Sequence, residues 1–326
     1  MVYPDLETIR ELAKDYRVIP VCRELYADLV TPIALLRKLA ARSERYFLLE
    51  SVEGGERWGR YTFLGCDPAA RVVYRGGKVI LEDEDGSVTE IQTDRPFDFL
   101  REFMTRYRGP KLPGMPPFTG GLVGCFGYGL AAVTEPALRL KTGGAADFDL
   151  LLFDKVIAYD HLRQKLTLVD NMKTENVELG WATAMRNLDR LQELTVAPLP
   201  PVTEPAPPPA FTSAPDKEAF CARVEQIKQH IIDGDIFQAV LSRRFTGAYR
   251  GGLTGAYRVL RTTNPSPYMV CMRIDGYEVI STSPETLVRL QNRRLSTFPV
   301  AGSRPRGKTP AEDAALEEEL LNDPKE

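Results

Sequence analysis

Histidine is almost missing from this 326-residue chain, which has only His161 and His230. Nucleophile systems that pair serine or cysteine with histidine therefore have little to draw on. Cysteine is scarce as well: Cys22, Cys66, Cys125, Cys221 and Cys271 are five in number and widely spaced, with no paired motif. That pattern argues against a disulfide framework and against a zinc site, and it predicts reduced thiols that mostly serve packing. No apolar run approaches the length of a membrane span, and the first residues, MVYPDLETIRELAKDYR, carry charge where a secretory peptide needs an apolar stretch. The expectation is a cytoplasmic protein with no membrane partner. Lys plus Arg total 42 against 45 Asp plus Glu, for a net charge of -3, and the short Arg304, Arg306, Lys308 cluster is the densest basic feature. Nucleic acid is not an expected partner.

What is present points to two domains. At this length one core is crowded, and VAPLPPVTEPAPPPAFTSAP, residues 196–215, is far richer in proline than its flanks. It divides an N-terminal domain, 1–195, from a C-terminal one, 216–326. Before it lie strand-like pieces, RYFLLESVE, RYTFLG, ARVVYRGGKVILED and KVIAYDHLRQKLTLVD, with helices expected from Pro32 to Arg42 and from Val177 to Leu194. After it, Phe220, Val224, Ile227 and Ile231 recur at helical spacing between Asp216 and the stop signal Gly234, which predicts an amphipathic helix packed on a sheet. DIFQAVLSRRF alternates like a strand, YMVCMRI and YEVISTS flank an Asp275-Gly276 turn, and LSTFPVAG supplies another strand. The predicted class is α+β with largely antiparallel sheets.

Two glycine motifs invite nucleotide readings. GGLVGCFGYG, 120–129, lacks the strand before and helix after that a dinucleotide fingerprint requires, so close approach of sheet backbones explains its glycines better. Gly302-Ser-Arg-Pro-Arg-Gly307-Lys308-Thr309 matches a phosphate-loop pattern. Pro305 has no N–H to offer, Pro310 follows directly, and the chain after it is too short for a metal-binding aspartate strand, so a P-loop nucleotide-binding protein is the weakest alternative.

The combination GDIFQAVLSRRF, NPSPYM, STSPE, FPVAGSRPRG and EEELLNDPKE, in that order, together with LLES, GRYTFLG and FTGGLVGCFGY upstream, resembles the chorismate-utilising enzymes, specifically anthranilate synthase component I. Shorter relatives that make isochorismate or salicylate lack the N-terminal portion, which argues against them. Aminodeoxychorismate synthase, the nearest alternative, carries a nucleophilic lysine where this chain has Ala301, whose small side chain leaves room for ammonia.

The resemblance implies that ammonia, delivered by a glutamine amidotransferase subunit, adds to chorismate, and that pyruvate leaves to give anthranilate. It implies Mg²⁺ held by glutamates, the first matching Glu326, and substrate contacts at Gly302, Ser303, Gln238 and Ala301. It implies feedback inhibition by L-tryptophan, held by Glu50 and Ser51 on one segment and Pro267, Tyr268 and Met269 on the other. The C-terminal helix opens at Thr309 and Pro310 and stops at Asn322, after which Asp323-Pro324-Lys325-Glu326 reads as a new helix start. The expectation is therefore a shortened, inactive polypeptide with no catalytic residue confidently within it. A non-catalytic tryptophan- or partner-binding fragment is the alternative from another class.

Overall fold

A computed structural model of the chain describes residues 2–51, 59–135, 137–138, 140, 144–201, 207–299 and 302–324. The strands, in chain order, are β1 Val2–Tyr3, β2 Val18–Tyr26, β3 Tyr46–Glu50, β4 Tyr61–Cys66, β5 Ala70–Arg75, β6 Lys78–Asp83, β7 Val88–Gln92, β8 Gly121–Phe126 and β9 Phe148–Phe153. They continue with β10 Lys155–Asp160, β11 Lys165–Lys173, β12 Thr212–Ala214, β13 Arg244–Thr246, β14 Tyr268–Arg273, β15 Glu278–Ser283, β16 Arg289–Gln291 and β17 Arg294–Ser296. The helices are α1 Leu6–Leu12, α2 Pro32–Ala40, α3 Pro96–Thr105, α4 Ala131–Thr134, α5 Val177–Val196, α6 Lys217–Ile232, α7 Thr254–Thr263 and α8 Pro310–Leu321.

Contacts divide the chain into two compact units, Met1–Pro200 with Tyr257–Glu326, and Pro201–Ala256. The first is built on an eight-stranded sheet, β1-β2-β11-β10-β4-β3-β14-β15, and a five-stranded sheet, β7-β6-β5-β9-β8. Every strand pairing in them is antiparallel, as expected for the α+β class. Alternation along the strands sets the layers. Leu48, Leu64, Ile157 and Leu168 face helical residues Ile9, Leu36, Leu188 and Tyr257. The opposite face of the same sheet, through Phe47, Val156, Val169 and Met272, packs on Leu151 and Phe153 of β9. Leu150, Leu152, Val72 and Val79 then turn outward onto Phe103 of α3. The result is helices, sheet, sheet, helix.

Side-chain caps start α2, α5 and α8 where the sequence placed them, and also start α1, which was not expected from the sequence. Asp5, Thr31, Asn176 and Thr309 accept from backbone N–H groups three residues on, each worth about 1 kcal/mol. In the hairpin between β14 and β15, Gly276 takes the positive-φ position at +70°. Gly124 serves a different need: a Cβ there would lie 2.1 Å from the Asp149 carbonyl oxygen, so only glycine lets β8 approach β9.

The unit Pro201–Ala256 differs from what its sequence suggested. Helix α6 forms with Asp216 as N-cap and Gly234 beyond its end at φ +81°, but none of its residues is buried. The alternating stretch from Asp235 yields a strand only over Arg244–Thr246, paired with β12. Alternation specifies a strand only where a neighbour completes the ladder, and residues 235–243 have no strand partner among the described residues. Among the described residues, the strand expected through LSTFPVAG likewise forms only over Arg294–Ser296, in a two-stranded ribbon with β16.

Gly124→Ala should cost about 3 kcal/mol of unfolding free energy through backbone overlap. Gly86→Ala, in a turn at φ +79° with nothing within 4 Å, should cost only about 1 kcal/mol through strain. Chemical denaturation of the two variants checks the contrast.

Candidate functional site

LLES and NPSPYM lie more than two hundred residues apart, and the antiparallel pairing of β3 with β14 brings them side by side. Met269 stands opposite Glu50, and Val270 opposite Leu49. Ser51 follows Glu50 at the strand end, and Pro267 and Tyr268 lead into Met269 from the other side. All five residues named for the tryptophan site are thus within one sheet neighbourhood. Met269 and Glu50 are buried, at 1% and 6% exposure, while Pro267, Tyr268 and Ser51 are half-buried. The Tyr268 hydroxyl reaches Thr286 Oγ1 at 2.5 Å, and Ser266 Oγ donates to the Ser283 carbonyl oxygen, which fixes the entry into β14.

A buried carboxylate needs compensation, and α7 supplies it. Tyr257 Oη donates to Glu50 Oε1 at 2.6 Å. Arg261 donates from Nε to Oε1 at 2.8 Å and from Nη2 to Oε2 at 3.0 Å, a two-pronged pairing. The Glu50 side chain is 2% exposed and that of Arg261 28%. Burial, reinforced by the Glu50 charge, pushes the Tyr257 hydroxyl far above the ordinary phenol range, so it remains a donor. The hydrogen bonds that Arg261 donates to Glu50 raise its own pKa despite its partial burial. Neither Tyr257 nor Arg261 stood out in the sequence, although their spacing places both on one helix face, a weak signal without a known target.

His161 opens the turn after β10 of the same sheet, its Nε2 2.8 Å from Thr62 Oγ1 and its ring against Tyr159. Burial lowers its pKa and favours the neutral ring. His230 is exposed and meets Asp235 at 2.8 Å. Both histidines thus have structural surroundings.

The residues named for substrate are less gathered. Gly302 is half-buried and Ser303 exposed, in coil before α8. Gln238 is exposed in coil in the unit Pro201–Ala256, so its expected place on a strand face does not hold, for want of a pairing neighbour. Ala301 and Glu326 lie outside the described residues. Among the described residues no cluster of three His, Cys, Asp or Glu side chains could hold a metal ion, so no Mg²⁺ site is built from them.

The glycine-lysine motif is occupied by its own chain. Gly307 N–H donates to Asp313 Oδ1 at 2.8 Å and Lys308 N–H to Glu312 Oε2 at 2.7 Å. Arg306 pairs with Asp313, and Arg304 with Glu319 and Asp323. The donors a phosphate would need are spent on carboxylates of α8 and on Asp323 just after it, which removes the P-loop reading's physical basis.

Residues 44–326 match the family model described as chorismate binding enzyme. The chain belongs to the chorismate binding enzyme family. Its relatives include anthranilate synthase component 1 of Acetivibrio thermocellus, 40% identical over 340 residues that take in 100% of this chain and 68% of the relative. The protein of the same name from Acinetobacter calcoaceticus is 35% identical, covering 95% of this chain and 65% of its own length. The chain therefore spans about two thirds of the length of these relatives. Among solved structures, anthranilate synthase component I from Streptococcus pneumoniae TIGR4 superposes with a TM-score of 0.68 at 26% identity, over 92% of this chain and 64% of that one. The Escherichia coli isochorismate synthase MenF shares the fold, with a TM-score of 0.57 at 17% identity over 98% of this chain and 64% of its own. That breadth corrects one expectation: possession of the N-terminal portion does not separate this chain from isochorismate-forming relatives.

Arg261→Ala strips a buried carboxylate of its cation and should cost about 3 kcal/mol. Glu50→Gln retains an acceptor for both donors and should cost about 1 to 2 kcal/mol. Urea unfolding followed by circular dichroism measures both; equal losses would show that the charge on Glu50 is not what α7 compensates.

Proposed function

We propose that this chain carries the function of an anthranilate synthase large subunit, acting on chorismate and ammonia to give anthranilate and pyruvate. The observation that carries the reading is 35 to 40% identity to proteins of that name across essentially the whole chain. In this proposal residues 216–326 belong to the chorismate-binding domain and 1–195 to the regulatory one, with 196–215 as the connection. Ammonia adds at C2 of the ring, the C4 hydroxyl leaves, and elimination of pyruvate restores aromaticity. Gly302 and Ser303 hold a substrate carboxylate through backbone N–H groups and a hydroxyl, and Gln238 offers an amide. Ala301 leaves space for ammonia where a lysine would attack the ring itself. Mg²⁺, when bound, screens the dianionic substrate, and Glu326 is its proposed first ligand. A glutamine amidotransferase subunit is the proposed ammonia source, and the cytoplasm the proposed location.

Tryptophan is the proposed inhibitor. The β3–β14 pairing supports this, because it brings Glu50 and Ser51 beside Pro267, Tyr268 and Met269, with the hydroxyl, proline and aromatic ring of Ser51, Pro267 and Tyr268 partly accessible and Glu50 and Met269 buried next to them. Such a patch suits an amino acid bearing an indole. Inhibition then follows from tryptophan favouring one arrangement of the enzyme over another.

Calorimetry of the 326-residue chain should detect L-tryptophan binding, and Ser51→Arg should weaken it by about a hundredfold or more by filling the patch. Joined in frame to the remaining third of the Acetivibrio thermocellus relative, the chain should form fluorescent anthranilate from chorismate, ammonium and Mg²⁺. Isochorismate as the product would overturn the catalytic reading, and unchanged tryptophan binding by the variant would overturn the inhibitor site.

A further inference from the structure

Away from the β3–β14 patch, a cavity of about 690 Å³ lies where the end of β11 and the start of β10 meet helix α5 and the β4–β5 connection. Its size is that of a small-molecule site. Apolar groups from Pro68, Ala69, Met172, Leu191 and Leu194 form part of the lining. Among them stands Asp170, 4% exposed, on the sheet face that carries Leu168 and Met172. One of its oxygens accepts from Asn187 Nδ2 at 2.8 Å; no other side chain among the described residues reaches the carboxylate, and no cation lies within ion-pair distance of it. A buried carboxylate with no cation is costly in its ionised form. Burial accordingly pushes it up to about 6, with the Asp154 and Glu84 charges adding to the rise, and the bond from Asn187 and the more distant Lys155 charge offset it only in part.

The neighbouring charges do not answer it. Lys155, opposite Asp170 across the β10–β11 ladder, gives its ammonium to Asp154 at 2.6 Å. Lys173 gives its own to Glu84 at 2.9 Å. Of the other charged groups along the lining, Asp67, Glu175, Arg42 and Arg190 are all exposed and solvated. The interior of the cavity is therefore short of one positive charge, beside apolar surface sized for a ring or a short hydrocarbon.

We propose that this cavity binds a small organic cation, an amine with an apolar body whose ammonium pairs with Asp170. Binding then supplies the missing charge and covers the apolar lining in one step, independently of the tryptophan patch. Because only the ionised carboxylate pairs with an ammonium, affinity rises as pH increases through the range in which Asp170 loses its proton.

Phenethylamine is the probe, and isothermal titration calorimetry of the intact chain the measurement. At about pH 8 the wild type should bind it, with saturating tryptophan failing to displace it. Binding should weaken at least about tenfold at about pH 5, with phenethyl alcohol as the uncharged comparison, and in Asp170→Asn, which keeps the shape and the bond to Asn187. Leu191→Trp should also abolish binding by filling the space. Absence of binding at the higher pH, equal affinity for the alcohol, or displacement by tryptophan overturns the proposal. The alcohol comparison uses the wild type alone, so it decides the matter even if a variant fails to fold.

Discussion

Glu50 ends a central strand with its carboxylate removed from water, and the arrangement around it depends on how that charge is met. The hydroxyl of Tyr257 and the two-pronged guanidinium of Arg261 meet it from a helix more than two hundred residues further along the chain. The same closure lays β14 against β3, so the ion pair and the strand ladder support one another. Without the ladder the arginine would have no fixed target, and without the arginine the ladder would bury an uncompensated charge. The patch proposed for tryptophan is a by-product of this closure, since its two segments meet only where β3 and β14 do.

A second polar cluster ties the two sheets together at the far end of the hairpin. Asp149 of β9 is 4% exposed and takes two hydrogen bonds from Arg71, at 2.9 and 2.7 Å, and one from Tyr277 at 3.1 Å. Arg71 also reaches Asp275 in the β14–β15 turn. Hydrogen bonding to Asp149 drives Arg71 above its ordinary value, and burial does the same for Tyr277. The hairpin is thus held at both ends by buried charge, with apolar packing of Met272 and Ile274 between. Asp170 departs from this pattern: it is an interior acid that pairs with an amide and, among the described residues, with no cation.

Much of this was legible in the residues. The strand-like runs around YFLLE and KLTLVD, the helix starts at Pro32, Val177, Asp216 and Thr309, and the Asp275-Gly276 turn each rest on local chemistry that works the same way in any context. Gly124 was readable as a close-approach glycine because the motif lacked the flanks of a nucleotide fold. The stretch from Asp235 misled for the opposite reason, since alternation states which face a residue would take in a sheet and leaves open whether a neighbouring strand exists. The charge of Arg304 and Arg306 was visible, but their carboxylate partners, Asp313 and Glu319 on α8 and Asp323 after it, could not be assigned by spacing alone.

By itself the sequence determined the family, the antiparallel α+β class, several helix starts and the two short segments proposed to hold tryptophan, because these follow from residue order and from interactions spanning a few residues. Only the tertiary structure decided that Met269 faces Glu50, that Tyr257 and Arg261 neutralise it, and that Asp170 lines a cavity with no cation paired to it among the described residues. Those are long-range pairings. Each depends on which chain segments the packing of two sheets and their helices brings within about 3 Å, the range over which charges and hydrogen bonds choose their partners.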